Sequence, residues 1–157
     1  MKIKLDAIDR KILELLQINS NITNAQLALE IGLSPAPTLE RVKKLETAGV
    51  IKSYHASIDN ASVGLGVSTF VMVSLKAQHR GNILKFLDAI SIIPEIVECH
   101  HLTGQSDFIL KIVAIDIPAY QKLMLEKVAN IEEVANLQSM IILSTFKDTK
   151  IVPIPEP

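Results

Sequence analysis

The sequence predicts an α+β chain in two parts: a helix-turn-helix segment at the N-terminus, then a ferredoxin-like β-α-β-β-α-β domain. Three observations predict it. Residues 1–50 carry three helical apolar patterns, each with its own start and stop signals. Residues 67–146 alternate β-rich apolar runs with helical spacing. Between them, residues 59–66 hold two glycines and several small residues, the composition of a hinge.

Taken in order, Asp6 can cap a first helix in which Ile8, Ile12, Leu15 and Leu16 share one face. Asn19-Ser20-Asn21 ends it. Thr23 with Gln26 three residues later is a capping-box pattern for a second helix, which presents Leu27, Ala28 and Ile31 and stops at Gly32. Ser34-Pro35 opens a third helix, since proline suits the first helical position. Pro37 disfavours helical geometry at Ala36, so the start is expected to slip by one or two residues. Leu39, Val42 and Leu45 are read as its inward face, and Gly49 as its end.

Residues 51–58 alternate as a strand, with Tyr54, Ala56 and Ile58 on one side. Further strands are expected over 67–77, 96–102, 108–114 and 137–146. Helices are expected over 82–90 and from Asp116-Ile117-Pro118 onward. The domain boundaries read as 1–50, a strand and hinge over 51–66, a second domain over 67–148, and a proline-bearing tail over 149–157.

The bulk numbers narrow the class. With 157 residues, 48% hydrophobic and 21% charged, the chain is globular and its two parts are small, so oligomerisation is expected to complete the core. The net charge of −1 does not by itself point to nucleic acid. Residues 1–55 hold eight Lys/Arg against six Asp/Glu, and residues 56–157 eight against eleven, so a polyanion is expected to meet the N-terminal part. A single cysteine, Cys99, excludes an internal disulfide. Asp6 and Asp9 interrupt any signal-like apolar start, and no uncharged apolar run reaches the ~18–20 residues of a membrane span, so a cytoplasmic protein with no membrane partner is expected.

In a helix-turn-helix the second helix of the pair enters the DNA major groove. On the third helix, Pro37, Glu40, Arg41, Lys43, Lys44 and Thr47 fall on the outer arc. Arg41, Lys43 and Lys44 can neutralise phosphate or reach guanine edges, and Thr38 near the helix start can donate to a phosphate or touch a thymine methyl. Ser34 and Pro35 stand at the helix N-terminus, whose dipole favours an anion. The plainer alternative is a solvated face with Glu40 and Lys44 as an i,i+4 pair.

The segments Leu5-Asp6-Ala7-Ile8-Asp9-Arg10-Lys11-Ile12-Leu13, Gly32-Leu33-Ser34-Pro35-Ala36-Pro37-Thr38-Leu39-Glu40-Arg41-Val42-Lys43-Lys44-Leu45-Glu46 and Gly49-Val50-Ile51 resemble the Lrp/AsnC (feast/famine) family of prokaryotic regulators. So do Glu98-Cys99-His100 and Gly104-Gln105-Ser106-Asp107-Phe108, and the similarity spans residues 3–148. The resemblance implies a winged helix-turn-helix, a homodimer built through the intervening strand and the C-terminal sheets, and assembly to tetramers, octamers or larger. It implies a transcriptional regulator of double-stranded DNA whose DNA binding or assembly responds to a small effector, an amino acid. The effector loop by resemblance is Thr103, Gly104, Gln105, Ser106 and Asp107, with Asp107 accepting from an ammonium group and the turn's N–H groups holding a carboxylate. From the residues alone, the same loop also reads as an ordinary hairpin with Asp107 capping its turn. Ser139 of the last strand joins the site by resemblance. Leu137 is apolar where some relatives carry a hydroxyl, which favours an apolar amino acid such as leucine or methionine.

Other chemistries find less support. Cys99, His100 and His101 invite a nucleophile or metal reading, but strand neighbours point to opposite faces and no third ligand is suitably spaced. No Walker, G-x-G-x-x-G or G-x-S-x-G pattern appears. No enzymatic activity, cofactor or metal is therefore expected. An architectural DNA binder with little sequence preference is the second reading; specific and random DNA compared at fixed salt separate the two.

Overall fold

The computed structural model describes residues 4–156, so expectations that touch residues 1–3 and Pro157 lie outside the described residues. The chain divides into two compact units. One runs to Ser57 and takes in the chain again from Lys147; the other is Ile58–Phe146.

In the first unit, α1 (Ala7–Ile18) starts where Asp6 accepts from the backbone N–H of Asp9 while the Asp9 carboxylate accepts from that of Asp6. This reciprocal box satisfies two N–H groups that the first turn would otherwise leave bare. Helix α2 (Asn24–Ile31) has the same device in Thr23 and Gln26, and ends on Gly32 at φ +70°. That conformation is nearly free for glycine and strained for other residues. Helix α3 (Pro35–Thr47) begins at once after Ser34. Pro37 does not delay it, because first-turn N–H groups have no helical partner and a proline there forfeits nothing.

Ile12, Leu13, Leu27 and Leu45 form the core of this unit, with Val42, Val50 and Ile51 packed against it. The inward face of α3 differs from the sequence reading. Thr38 is 0% exposed, whereas Leu39, expected inside, is 43% exposed. Thr38 lies four and seven residues before Val42 and Leu45, on the same helical stripe over the core, and its hydroxyl is satisfied by donating to the Ser34 carbonyl at 2.9 Å. The expected strand over 51–58 is also absent: these residues join no ladder. A strand exists only against a partner, and within the described residues none runs beside them.

The second unit is a four-stranded antiparallel sheet in the order β2-β3-β1-β4, with β1 (Val67–Leu75), β2 (Ile96–His101), β3 (Phe108–Ala114) and β4 (Val134–Ile141). Helix α4 (Arg80–Ser91) follows β1, and α5 (Ile117–Leu123) runs on into a π-turn over Met124–Val128. The element order is the expected β-α-β-β-α-β. The last strand is offset from its expected range of 137–146. Its final pair is Thr69 with Ile141; the Ile142 N–H still donates to the Ser68 carbonyl, but β1 begins at Val67 and gives residues 144–146 nothing to pair with. Val71, Val73, Leu110 and Ile112 on one sheet face bury Phe86 and Ile90 of α4 and Tyr120 and Leu123 of α5. The alternate residues Phe70, Met72, Ile109 and Met140 line the other face and stay partly or largely exposed. No described helix is long and apolar enough to cross a membrane.

Candidate nucleic-acid interface and effector loop

The pair α2–α3 is held at the turn by the Asn24 amide, which donates to the Pro35 carbonyl at 2.8 Å. This ties the start of one helix to the start of the next. Ser34 caps α3 with its backbone only, so its exposed hydroxyl stands at the helix N-terminus without a capping bond. Pro35, Leu39, Glu40, Lys43 and Lys44 are exposed with it. Ala36, Leu39, Glu40, Lys43 and Thr47 follow the three- and four-residue steps of one helical face.

Two expected contact residues are placed elsewhere. Thr38 is buried and bonded to Ser34, so it cannot reach a groove. Arg41 does not extend outward: one guanidinium nitrogen lies 2.7 Å from Asp6 and 2.7 Å from Asp9. Its side chain is 29% exposed and that of Asp9 1%. The Asp9 carboxylate is buried at the base of α1, and an arginine spanning two acids is the arrangement that satisfies it. The backbone N–H of Asp9 and the Arg41 guanidinium together hold the Asp6 carboxyl below the usual carboxylate range. The Asp6 and Asp9 carboxylates raise Arg41 above its ordinary value. Lys44 lies 3.8 Å from Asp9 but remains half-exposed, and Lys43 projects to solvent. Leu39, read from sequence as inward, is exposed; one residue from Thr38 and six from Leu45, it lies off the stripe that those two bury.

Behind α3, the Tyr54 hydroxyl donates to Glu46 at 2.9 Å. Burial, with the nearby Glu46 carboxylate, pushes the Tyr54 pKa up to about 12.

In the second unit Thr103, Gly104 and Gln105 are exposed at the tip of the β2–β3 hairpin and Ser106 is half-buried. Gly104 has φ +127°, a conformation that L side chains rarely adopt. Asp107, expected to meet an ammonium group, is turned into the fold and is 8% exposed. Its carboxylate accepts from the Leu75 N–H at 2.7 Å, and its own N–H donates to the Val73 carbonyl at 2.9 Å. It anchors the loop to the end of β1. Ser139 is not brought to this loop. It pairs with Val71 on the far side of β1, where its hydroxyl accepts from Tyr120 at 2.5 Å. Ser74, whose hydroxyl lies 3.5 Å from the Gln105 carbonyl, is opposite Asn136 of β4, while Leu137, opposite Val73, packs against the core.

His101 stacks on Phe108 with ring centroids 4.8 Å apart, and Cys99 packs against the core, where burial pushes its thiol pKa up. A raised pKa keeps the thiol protonated and poorly nucleophilic. Among the described residues no group of His, Cys, Asp and Glu could hold a metal ion.

Residues 5–52 match a winged helix-turn-helix DNA-binding family, and residues 68–152 match the Lrp/AsnC ligand binding domain. The chain is 36% identical over 156 residues to the transcriptional regulator AzlB of Bacillus subtilis, covering 99% of both chains. It is 37% identical over 148 residues to the leucine-responsive regulatory protein of Rhizobium meliloti, covering 94% of this chain and 95% of that one. Among solved structures, a transcriptional regulator of Neisseria meningitidis in complex with L-Met superposes with a TM-score of 0.90 at 34% identity, covering 96% of this chain and 97% of that one. With a DNA-binding winged helix-turn-helix ahead of a ligand-binding ferredoxin-like domain, this chain is a transcriptional regulator of the Lrp/AsnC family.

Proposed function

We propose that the chain reads double-stranded DNA through the exposed face of α3. Ser34 and Pro35 sit at the phosphate-facing N-terminus, Glu40, Lys43 and Lys44 lie along the groove, and Leu39 meets thymine methyl groups. The observation that carries this is the division of labour on α3: Thr38, Arg41 and Leu45 secure the helix from behind, leaving a stripe of short, apolar and cationic groups outward. A titration of one selected duplex and of random DNA at fixed salt tests it; equal affinity for both removes sequence readout and leaves an architectural binder.

The working particle is a homodimer or a larger even-numbered assembly. Phe70, Met72, Ile109 and Met140 on the sheet face that the helices leave uncovered support this, as do residues 52–58, which join no ladder and so have backbone groups for a partner strand. Two recognition helices then meet successive major-groove segments of a near-palindromic site.

The effector is a free amino acid with an apolar side chain, held at Thr103, Gly104, Gln105 and Ser106 with Asp107 as the loop's anchor. The Neisseria relative with bound L-Met supports the ligand class, and Leu137 of the last strand, apolar though packed against the core, is the residue behind the side-chain preference. Ser139 lies across β1 from this loop within one chain, so its part in the pocket needs a second copy to close the site. A thermal-shift screen of the twenty amino acids tests this, because a ligand that binds only the folded protein raises its melting temperature. No shift with leucine or methionine, against a shift with a polar amino acid, refutes the preference.

A further inference from the structure

Residues 149–157 read from sequence as a tail beyond the second domain, yet the chain from Lys147 belongs with the first unit. The Val152 N–H donates to the Gln17 side-chain oxygen at 2.7 Å, and the Gln17 amide nitrogen donates back to the Val152 carbonyl at 3.2 Å. One guanidinium nitrogen of Arg10 donates to the Pro155 carbonyl at 2.7 Å, the other to the Leu5 carbonyl at 3.0 Å. Ile154, between these two clamps, packs against the core formed by Ile12, Leu13, Leu27 and Leu45.

The geometry fits an extended strap running antiparallel to α1. Arg10 and Gln17 are seven residues apart, two turns along one helix face, or about 10.5 Å at ~1.5 Å per residue. Val152 to Pro155 is three residues, about 9–10 Å in extended backbone at ~3.1–3.3 Å each. Pro153 and Pro155 hold that extension in advance and bring no N–H groups needing partners. Ahead of Pro153, Ile151 donates to the Thr149 hydroxyl at 3.1 Å and Val152 to Gln17.

Arg10 links the strap to the backbone next to Asp6, and Asp6 with Asp9 grips Arg41 of α3. The contacts thus run from strap to α1 to recognition helix. We propose that residues 151–156 are a positioning strap for DNA binding: docked on α1, they hold fixed the helix to which α3 is pinned, without touching DNA themselves. The strap contains no Lys or Arg, so its removal takes no cation from the protein.

The test uses the full chain, a variant ending at Lys150, and Gln17→Ala in the otherwise intact chain. The probe is a duplex enriched by the full chain from a random-sequence pool. Gln17 is only half-buried on α1, outside the core, and alanine is a strong helix former, so that variant keeps its helix even if the truncated one unfolds. Three measurements are made: amide exchange in α1, duplex affinity, and the slope of log affinity against log salt. Expected are α1 exchange faster by about tenfold in the truncated protein and by less in Gln17→Ala, as local opening becomes easier. Duplex affinity is expected to fall with it by up to about tenfold, at an unchanged salt slope because no phosphate contact is lost. Unchanged exchange in both variants overturns the strap. A flattened salt slope also overturns it, since the segment then acts at the phosphates.

Discussion

Replacing Arg41 by alanine separates a groove contact from a buried support. The charge pattern of α3 places Arg41 among the DNA-reaching cations; the structure gives it two carboxylates at 2.7 Å. The arm to Asp6 is half-exposed, and such pairs contribute about 0.2–1 kcal/mol. The arm to Asp9 reaches an acid that is 1% exposed. Hydrogen bonds to charged groups contribute about 1.5–3 kcal/mol, and stripping a fully buried ion of its partner costs about 3–5 kcal/mol. The lower range applies, because Arg41 is 29% exposed and Lys44 stays 3.8 Å from Asp9. Arg41→Ala is therefore expected to cost about 2 kcal/mol, lowering the midpoint of a domain this small by roughly 8–16 °C. Amide exchange across α1 and α3 reports the loss without relying on a single two-state transition, which two units need not share. A double-mutant cycle with Asp9→Ala should show coupling of at least about 1 kcal/mol. Arg41→Lys should recover only part of the stability, since an ammonium does not reproduce the planar fork. Arg41→Ala should also weaken DNA binding at an unchanged salt slope. If exchange is untouched while the slope drops by about 0.9, Arg41 is a phosphate contact and the support argument is wrong.

Lys43→Ala should behave in the opposite way, with exchange and melting unchanged and the salt slope of duplex binding lower by about 0.9. Gly104→Ala meets no steric neighbour but must hold φ +127°, so it should cost about 1–3 kcal/mol of local stability or shift the loop, read as weaker L-methionine binding by calorimetry. Asp107→Ala leaves the buried Leu75 N–H without its carboxylate and should cost about 1–3 kcal/mol, seen as faster exchange at that amide. Because the folded Asp6 pKa lies below its ordinary value, its contribution is present above about pH 4 and is lost as pH falls through the folded value. Asp6→Asn, which keeps a capping oxygen, should flatten the acid limb of an equilibrium unfolding curve; an unchanged limb refutes the assignment. That effect is small, since Asp6 is half-exposed.

Local signals carried most of the architecture. Asp6 with Asp9, Thr23 with Gln26, and Gly32 mark helix ends through bonds made within a few residues, so their meaning survives without the rest of the chain. The β-rich apolar runs of β1 and β3 mark strands for the same reason, though not which face is buried. What only the tertiary structure decided depends on partners distant in sequence. Arg41 looks outward on a helical wheel, and it is Asp9, 32 residues earlier, that turns it inward. Residues 51–58 have the pattern of a strand, but pairing is a property of two segments. Asp107 is a turn residue by type and a buried anchor only because β1 ends beside it. The tail from residue 149 has loop composition, and its docking follows from Gln17 and Arg10 more than a hundred residues away. Composition and period state what a segment can bury or expose; which charge meets which is set by distances that exist only once the chain has closed on itself.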